Sequence, residues 1–312
     1  MQDEGVLWAP DGRHFAVLGT DAGVSNVYIF DSSGIWVGGA PASRASWASD
    51  DSLLVLPWDP TTSDGLLTAY TASFGYNDVS TMEALPGRYS DIIGSGGGAA
   101  ALPTTDGYAI WRNGSLQQEV KCDCGPVAIS ADGSLVAVED SGGLSVVNTG
   151  SGRKVQSWPG LQTGAHLHAS FSPDGRQVAL NSVYGSSDTL VVLNLADDRR
   201  AGLLAGHFAY NGAWVDNAQL FAGDDSGGWW FLPADGSSPK PAGVSIGSWA
   251  AVASSTGSIA AVDGSGTTLS IETSGKTRTL ALPSQALSLN WSPDGSELVV
   301  GCESLAVLLV RR

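Results

Sequence analysis

The sequence predicts an all-β protein, an eight-bladed β-propeller of four-stranded antiparallel blades, with seven blades as the alternative count. Three observations carry that reading. A hairpin signal, made of an apolar anchor, a tight turn and an apolar strand, recurs at a period of about 40 residues. Each period holds short alternating apolar runs bounded by glycine-rich turns. No segment sustains a helical period, and the longest candidate, Leu195–Leu204, is short and charged.

The hairpin is clearest in Phe171-Ser172-Pro173-Asp174-Gly175, which runs into Gln177-Val178-Ala179-Leu180. Proline presets φ at the second turn position, aspartate suits the third, and glycine accepts the positive φ that closes the turn. Trp291-Ser292-Pro293-Asp294-Gly295 repeats it, as does Trp8-Ala9-Pro10-Asp11-Gly12 with alanine for serine. Ile129-Ser130-Ala131-Asp132-Gly133 keeps all but the proline. Further anchors fall at Trp47, Trp214 and Val252, with a worn copy near Asp91-Ile92-Ile93.

After each turn comes a second apolar strand, such as Leu135-Val136-Ala137-Val138, and then a third, such as Leu190-Val191-Val192-Leu193. A polar glycine turn leads to a fourth, more polar strand, such as Arg153-Lys154-Val155-Gln156-Ser157-Trp158. One four-stranded sheet cannot hide both faces, whereas radial stacking buries them and leaves short edges. The chain reads as one propeller domain over residues 1–312. Its blades span about 1–41, 42–85, 86–122, 123–160, 161–205, 206–242, 243–281 and 282–312. The eighth contains three strands, and the first blade starts on its innermost strand. Either a strand upstream of Met1 completes blade eight, or that blade is three-stranded.

Glycine, 41 of 312 residues, is about twice as frequent as in average proteins and fits a turn-rich chain. No run of about 18 apolar residues predicts a membrane helix, and no signal peptide precedes the first repeat. The chain is then either cytoplasmic or a mature form. Its low lysine content and Ser/Thr-rich turns lean toward a bacterial extracytoplasmic setting, periplasm or cell surface. The net charge of −16 argues against binding nucleic acid or anionic lipid through a basic patch. It suits solubility, a cationic partner or calcium.

Three cysteines are too few for a disulfide scaffold. Cys302 lies in an apolar strand and is expected to pack as a small hydrophobe. Cys122 and Cys124, one residue apart, could be surface thiols, a strained bond or half of a metal site, but no second ligand pair stands at zinc spacing.

Motif-like strings have simpler explanations in turns. Gly243-Val244-Ser245-Ile246-Gly247 matches a hydrolase nucleophile pattern without its strand–turn–helix context. Gly94-Ser95-Gly96-Gly97-Gly98-Ala99 resembles a dinucleotide loop with no helix to follow. The acidic turn Asp224-Asp225-Ser226-Gly227-Gly228 misses calcium-loop spacing. No catalytic residue is assigned and no motif implies a cofactor.

Candidate binding residues are those the repeat leaves over. His166 and His168 alternate on the innermost strand of blade five, about 7 Å apart on one face. They could line the channel or, with ligands from elsewhere, hold a metal. Trp58, in the long loop of blade two, and Tyr184, in that of blade five, are loop candidates for recognition. Trp229 and Trp230 are adjacent on a strand, so they should face opposite sides of blade six and could serve as contact residues.

The Ser-Pro-Asp-Gly blades resemble those of the TolB-type propeller family, most closely at Phe171–Leu180 and Trp291–Val300. Blade six is more similar to a WD repeat, with Gly206-His207 ahead of Trp214 but without the terminal Trp-Asp pair. The resemblance implies a binding platform for protein partners, including as a subunit of an envelope or other multisubunit assembly. A small-ligand, glycan or metal site at His166/His168 is the alternative, enzymatic or not.

Overall fold

The computed structural model describes residues 5–21, 24–57, 66–75, 78–94, 98–112, 115–161, 168–181, 190–197, 199–203, 209–224, 226–244, 250–303 and 307–311. It is an eight-bladed β-propeller: among the described residues eight antiparallel sheets follow one another along the chain, seven four-stranded and the last three-stranded. No helix is present among the described residues, so none is long and apolar enough to cross a membrane. By compactness the chain forms two units, Leu7–Thr163 and Met1–Val6 with Gly164–Arg312.

Each sheet is an up-and-down meander. Blade one runs Val6–Trp8, His14–Asp21, Val24–Asp31 and Trp36–Pro41. Blade four runs Cys124–Ile129, Leu135–Asp140, Gly143–Asn148 and Lys154–Pro159. Blade five runs His168–Phe171, Gln177–Asn181, Leu190–Asn194 and Arg200–Leu203. Blade seven runs Ala250–Ala253, Ile259–Val262, Thr268–Thr273 and Lys276–Ala281. Blade eight has Ala286–Trp291, Glu297–Cys302 and Val307–Arg311.

Within each unit the cores lie between consecutive sheets. Val27 and Ile29 of blade one pack with Trp47, Leu53 and Val55 of blade two. Ala99, Tyr108 and Ile110 pack with Ile129, Val136 and Val138 of blade four. In the other unit, Leu190, Val192 and Leu203 of blade five meet Leu220, Ala222 and Leu232 of blade six. Ala260, Val262 and Leu269 of blade seven meet Trp291, Leu298 and Val300 of blade eight. Cys302 is 4% exposed and belongs to that last cluster, as its apolar strand predicts.

The hairpin turns have one chemistry. The glycines of four copies, Gly12, Gly133, Gly175 and Gly295, have φ between 68 and 70°, the left-handed region that a Cβ disfavours. The serine has a role that its residue type alone does not announce. Ser172 Oγ donates to Asp174 Oδ1 (2.7 Å) and accepts from the Gln177 amide (3.0 Å). Ser130 with Asp132 and Leu135, and Ser292 with Asp294 and Glu297, do the same. All three serines are buried, at 1%, 1% and 6% exposure. Each satisfies a strand amide that the turn would otherwise strand.

Blade seven revises one anchor. Ser254 accepts from the Ser258 amide (3.0 Å) and bonds Thr256 Oγ1 (2.8 Å), so Ser254-Ser255-Thr256-Gly257 is the turn, with threonine in the aspartate's place. The residue in anchor register is therefore Ala253, paired with Ile259, rather than Val252. A small anchor gives no aromatic signal, which is why the apolar neighbour attracted the assignment.

Candidate functional site

In the unit containing blades five to eight, the ends of the inner hairpins line an open cleft of about 450 Å³. It is lined by Trp214 and Trp291 together with Pro173, Asn217, Ser255, Asn290 and Pro293. Both indoles are fixed from below. Trp214 Nε1 donates to the Ser170 carbonyl (3.2 Å), and Trp291 Nε1 to the Val252 carbonyl (3.3 Å). In the other unit, Trp47 Nε1 donates likewise to Leu7 (3.1 Å). The rim is also tied across blades, because Asn217 Oδ1 accepts from the Asp174 amide at 2.8 Å.

A second cleft of about 380 Å³ adjoins it, lined by Gln177, Asp216, Asn217, Gln219, Pro233 and Asp235. Asp216 and Asn217 thus form a polar wall shared by both hollows, and both side chains are exposed. Asp216 Oδ1 accepts from the Ala218 amide (2.7 Å), which holds this turn in shape. The hairpin ends around the clefts also carry Asp174, Asp235 and Asp294. Hydrogen bonds from Ser292 and Ser296 hold Asp294 below the ordinary carboxylate range. The two open hollows thus combine the carboxylates of Asp216 and Asp235 with the indoles of Trp214 and Trp291.

Of the predicted site residues only Trp229 and Trp230 have described side chains, and neither lines the clefts. Trp58, His166 and Tyr184 lie outside the described residues, and for His168 only the backbone, in strand His168–Phe171, is described. Trp229 is 3% exposed and stacks on Phe221 with ring centroids 5.2 Å apart, in the core with Ala251 and Ile259. Trp230 packs on the opposite face, against the cluster of Leu190, Leu220 and Leu232. The alternation therefore holds, and it makes both rings packing elements between blades.

Asp224 explains the position of Trp230. Its carboxylate is 2% exposed. Oδ1 accepts from the Ser226 amide (2.9 Å), Ser226 Oγ (2.6 Å) and the Gly228 amide (2.8 Å), while Oδ2 accepts from Trp230 Nε1 (2.7 Å). Burial alone would raise its pKa, but these donors outweigh it and the net direction is down. A carboxylate so fully engaged is a hairpin clasp.

Two other tryptophans outside the anchor register also proved interior: Trp111 is 6% exposed and Trp158 0%. Cys122 and Cys124, left open by their spacing, form a disulfide with Cα atoms 5.2 Å apart, in the connection between blades three and four. Bonding removes both as thiolate ligands.

Sheets of this kind in unbroken series define a β-propeller, and solved structures of low sequence identity share it. The chain is similar to hydrazine synthase of Kuenenia stuttgartiensis (14% identity, TM-score 0.56, covering 100% of this chain and 97% of that one). It is similar to BamB of Moraxella catarrhalis (13%, TM-score 0.59, 100% and 94%) and to a eukaryotic initiation factor (13%, TM-score 0.64, 95% and 80%). No family model matches the chain, and no curated protein matches it in sequence.

Proposed function

We propose that the protein is a TolB-type propeller acting as a protein-binding scaffold, and that a cationic segment of a partner docks across the hairpin ends of blades five to eight. The observation that carries this reading is the pair of adjoining clefts that share Asp216 and Asn217, one of them lined by Trp214 and Trp291. An open hollow crossing several blades offers area to a polypeptide, and aromatic floors with polar rims are the composition of contact hot spots. The charge of −16 favours a basic partner and speeds its approach. The resemblance of the Ser-Pro-Asp-Gly blades to TolB-type repeats supports the family reading.

The test is affinity capture with the full chain beside Asp216→Lys/Asn217→Lys and, as control, Asp106→Lys on the exposed turn of blade three. Proteins lost from the double variant but kept by the control support the proposal. Identical capture by all three overturns it.

A further inference from the structure

The disulfide Cys122–Cys124 encloses a single residue, Asp123, between the fourth strand of blade three, Ser115–Lys121, and the first of blade four, Cys124–Ile129. The connection does not owe its shape to the bridge. The Cys122 amide donates to the Asp106 carbonyl (2.9 Å). The same bond recurs where blades four and seven end, from Gly160 to Gly142 (2.9 Å) and from Leu282 to Thr267 (2.8 Å), with no cysteine at either place. On either side the ladders hold the chain, Lys121 against Gly107 and Cys124 against Asp140. Closing so short a loop also removes little entropy from the unfolded chain.

What the main chain does fix is the meeting of the two cysteines. Their Cα atoms stand 5.2 Å apart, within the range in which two cysteines bond without moving the backbone. After reduction the thiols therefore remain neighbours, and the second can expel a thiol attached to the first. Both cysteines are only partly buried, and Asp123 between them is exposed. A small thiol can approach the bond in the folded protein.

The surroundings are acidic. Asp140 stands opposite Cys124 in the ladder, Glu139 precedes it, and Asp123 lies within the loop. The adjoining Lys121 is already paired with Asp106 (3.4 Å). Carboxylates disfavour the thiolate that must leave when the bond is attacked. A positive charge on the attacking molecule offsets them while negative charge is shared among the reacting sulfurs. We infer that Cys122–Cys124 is a thiol–disulfide exchange site for cationic thiols, in particular a dithiol carried on a segment rich in Lys or Arg. One substrate thiolate attacks a sulfur of the pair, the bridge breaks, and the other cysteine leaves as a thiolate and takes up a proton. The second substrate thiolate attacks the mixed disulfide and releases the remaining cysteine, which is protonated in turn. The dithiol loses two electrons and becomes a disulfide, and the cysteine pair gains them. This site shares no residue with the clefts, so either proposal can fail alone.

The experiment treats the full chain with cysteamine, 2-mercaptoethanol or mercaptoacetate, a cationic, a neutral and an anionic thiol. Alkylation and peptide mass spectrometry locate the freed thiols and keep Cys302 apart from them. Each rate is divided by that of the same thiol on a small neutral disulfide, which removes intrinsic reactivity. Expected is a cation-to-anion ratio of about tenfold or more at low salt. It should fall toward one at high salt and in Asp123→Asn/Asp140→Asn. The asparagine at 140 keeps an oxygen for the Gly142 amide, which Asp140 Oδ1 accepts at 2.7 Å, and the salt series needs no substitution at all. Cystamine should restore the bond in the reduced protein, with strand circular dichroism unchanged throughout. A ratio near one at low salt, a faster anion, or reduction only after the protein unfolds overturns the proposal.

Discussion

The indole of Trp214 hydrogen-bonds the carbonyl of Ser170, a residue 44 positions earlier on the innermost strand of the preceding blade. Trp47 with Leu7 and Trp291 with Val252 span 40 and 39 positions. In each case the acceptor is the residue just before the preceding blade's anchor. The repeat period is thus a physical contact, in which one aromatic ring fills the space between two inner strands and fastens itself to the backbone of the earlier one. Trp291→Phe should keep most of the packing and lose about 1 kcal/mol with the hydrogen bond. Trp291→Ala should cost about 3–5 kcal/mol. Denaturant unfolding of both variants separates the two contributions.

The buried turn serines should matter more than their exposed neighbours. Ser172→Ala strands the Gln177 amide and removes a donor from Asp174, with an expected loss of about 1–3 kcal/mol. Ser296→Ala, at an exposed hydroxyl, should cost less than about 0.5 kcal/mol. The converse change, Ala9→Ser, adds the missing hydroxyl beside Asp11 and is expected to raise the unfolding midpoint. Equal effects at Ser172 and Ser296 would contradict the assignment of the buried hydroxyl.

Acid should act through the clasp at Asp224. A carboxylate whose folded pKa is depressed contributes stability that is present above its unfolded pKa, near 3.8, and lost as pH falls through the folded value. Asp132 and Asp294, also depressed, act in the same direction. Stability is therefore expected to decline below about pH 4. Asp224→Asn should be destabilised at neutral pH and flatter in that acid range, which thermal unfolding from pH 2 to 7 would reveal.

Gly107 begins the third strand of blade three with φ +146°, and a Cβ there would lie 1.9 Å from the Val120 carbonyl oxygen. Backbone cannot yield as a flexible side chain can. Gly107→Ala is expected to cost at least about 2 kcal/mol. Gly152→Ala, with open space around it, meets only the positive-φ penalty, so chemical denaturation should rank the two.

Reduction of Cys122–Cys124 should be mild, because the bond closes a very short loop. The chain-entropy estimate for so few residues is about 1–2 kcal/mol. The reduced protein is expected to keep its strand circular dichroism with a slightly lower melting temperature; unfolding on reduction would show that the bridge organises more than its own turn.

The blade series was legible because turn chemistry is local. Pro-Asp-Gly needs one backbone conformation, and that need is written in adjacent residues. The serine's contribution was harder to see, since its partner amide lies five residues on and its burial depends on the sheet. Trp229 read as a contact residue for the same reason: what covers it belongs to strands distant in sequence. The clefts draw on turns from several blades, so no single segment announces them. Asp216 and Asn217 carried only the signal of another polar turn. Of the features that departed most from the repeat, His166 and the long loops of blades two and five fall outside the described residues, and of His168 only the backbone is described.

Cys302 has a practical consequence. With Cys122 and Cys124 joined, it is the molecule's one free thiol. It is shut into the cluster between blades seven and eight, and burial raises its pKa. An alkylating reagent can therefore reach it only when the last blade parts from its neighbour. Its labelling rate is therefore a clock for that opening.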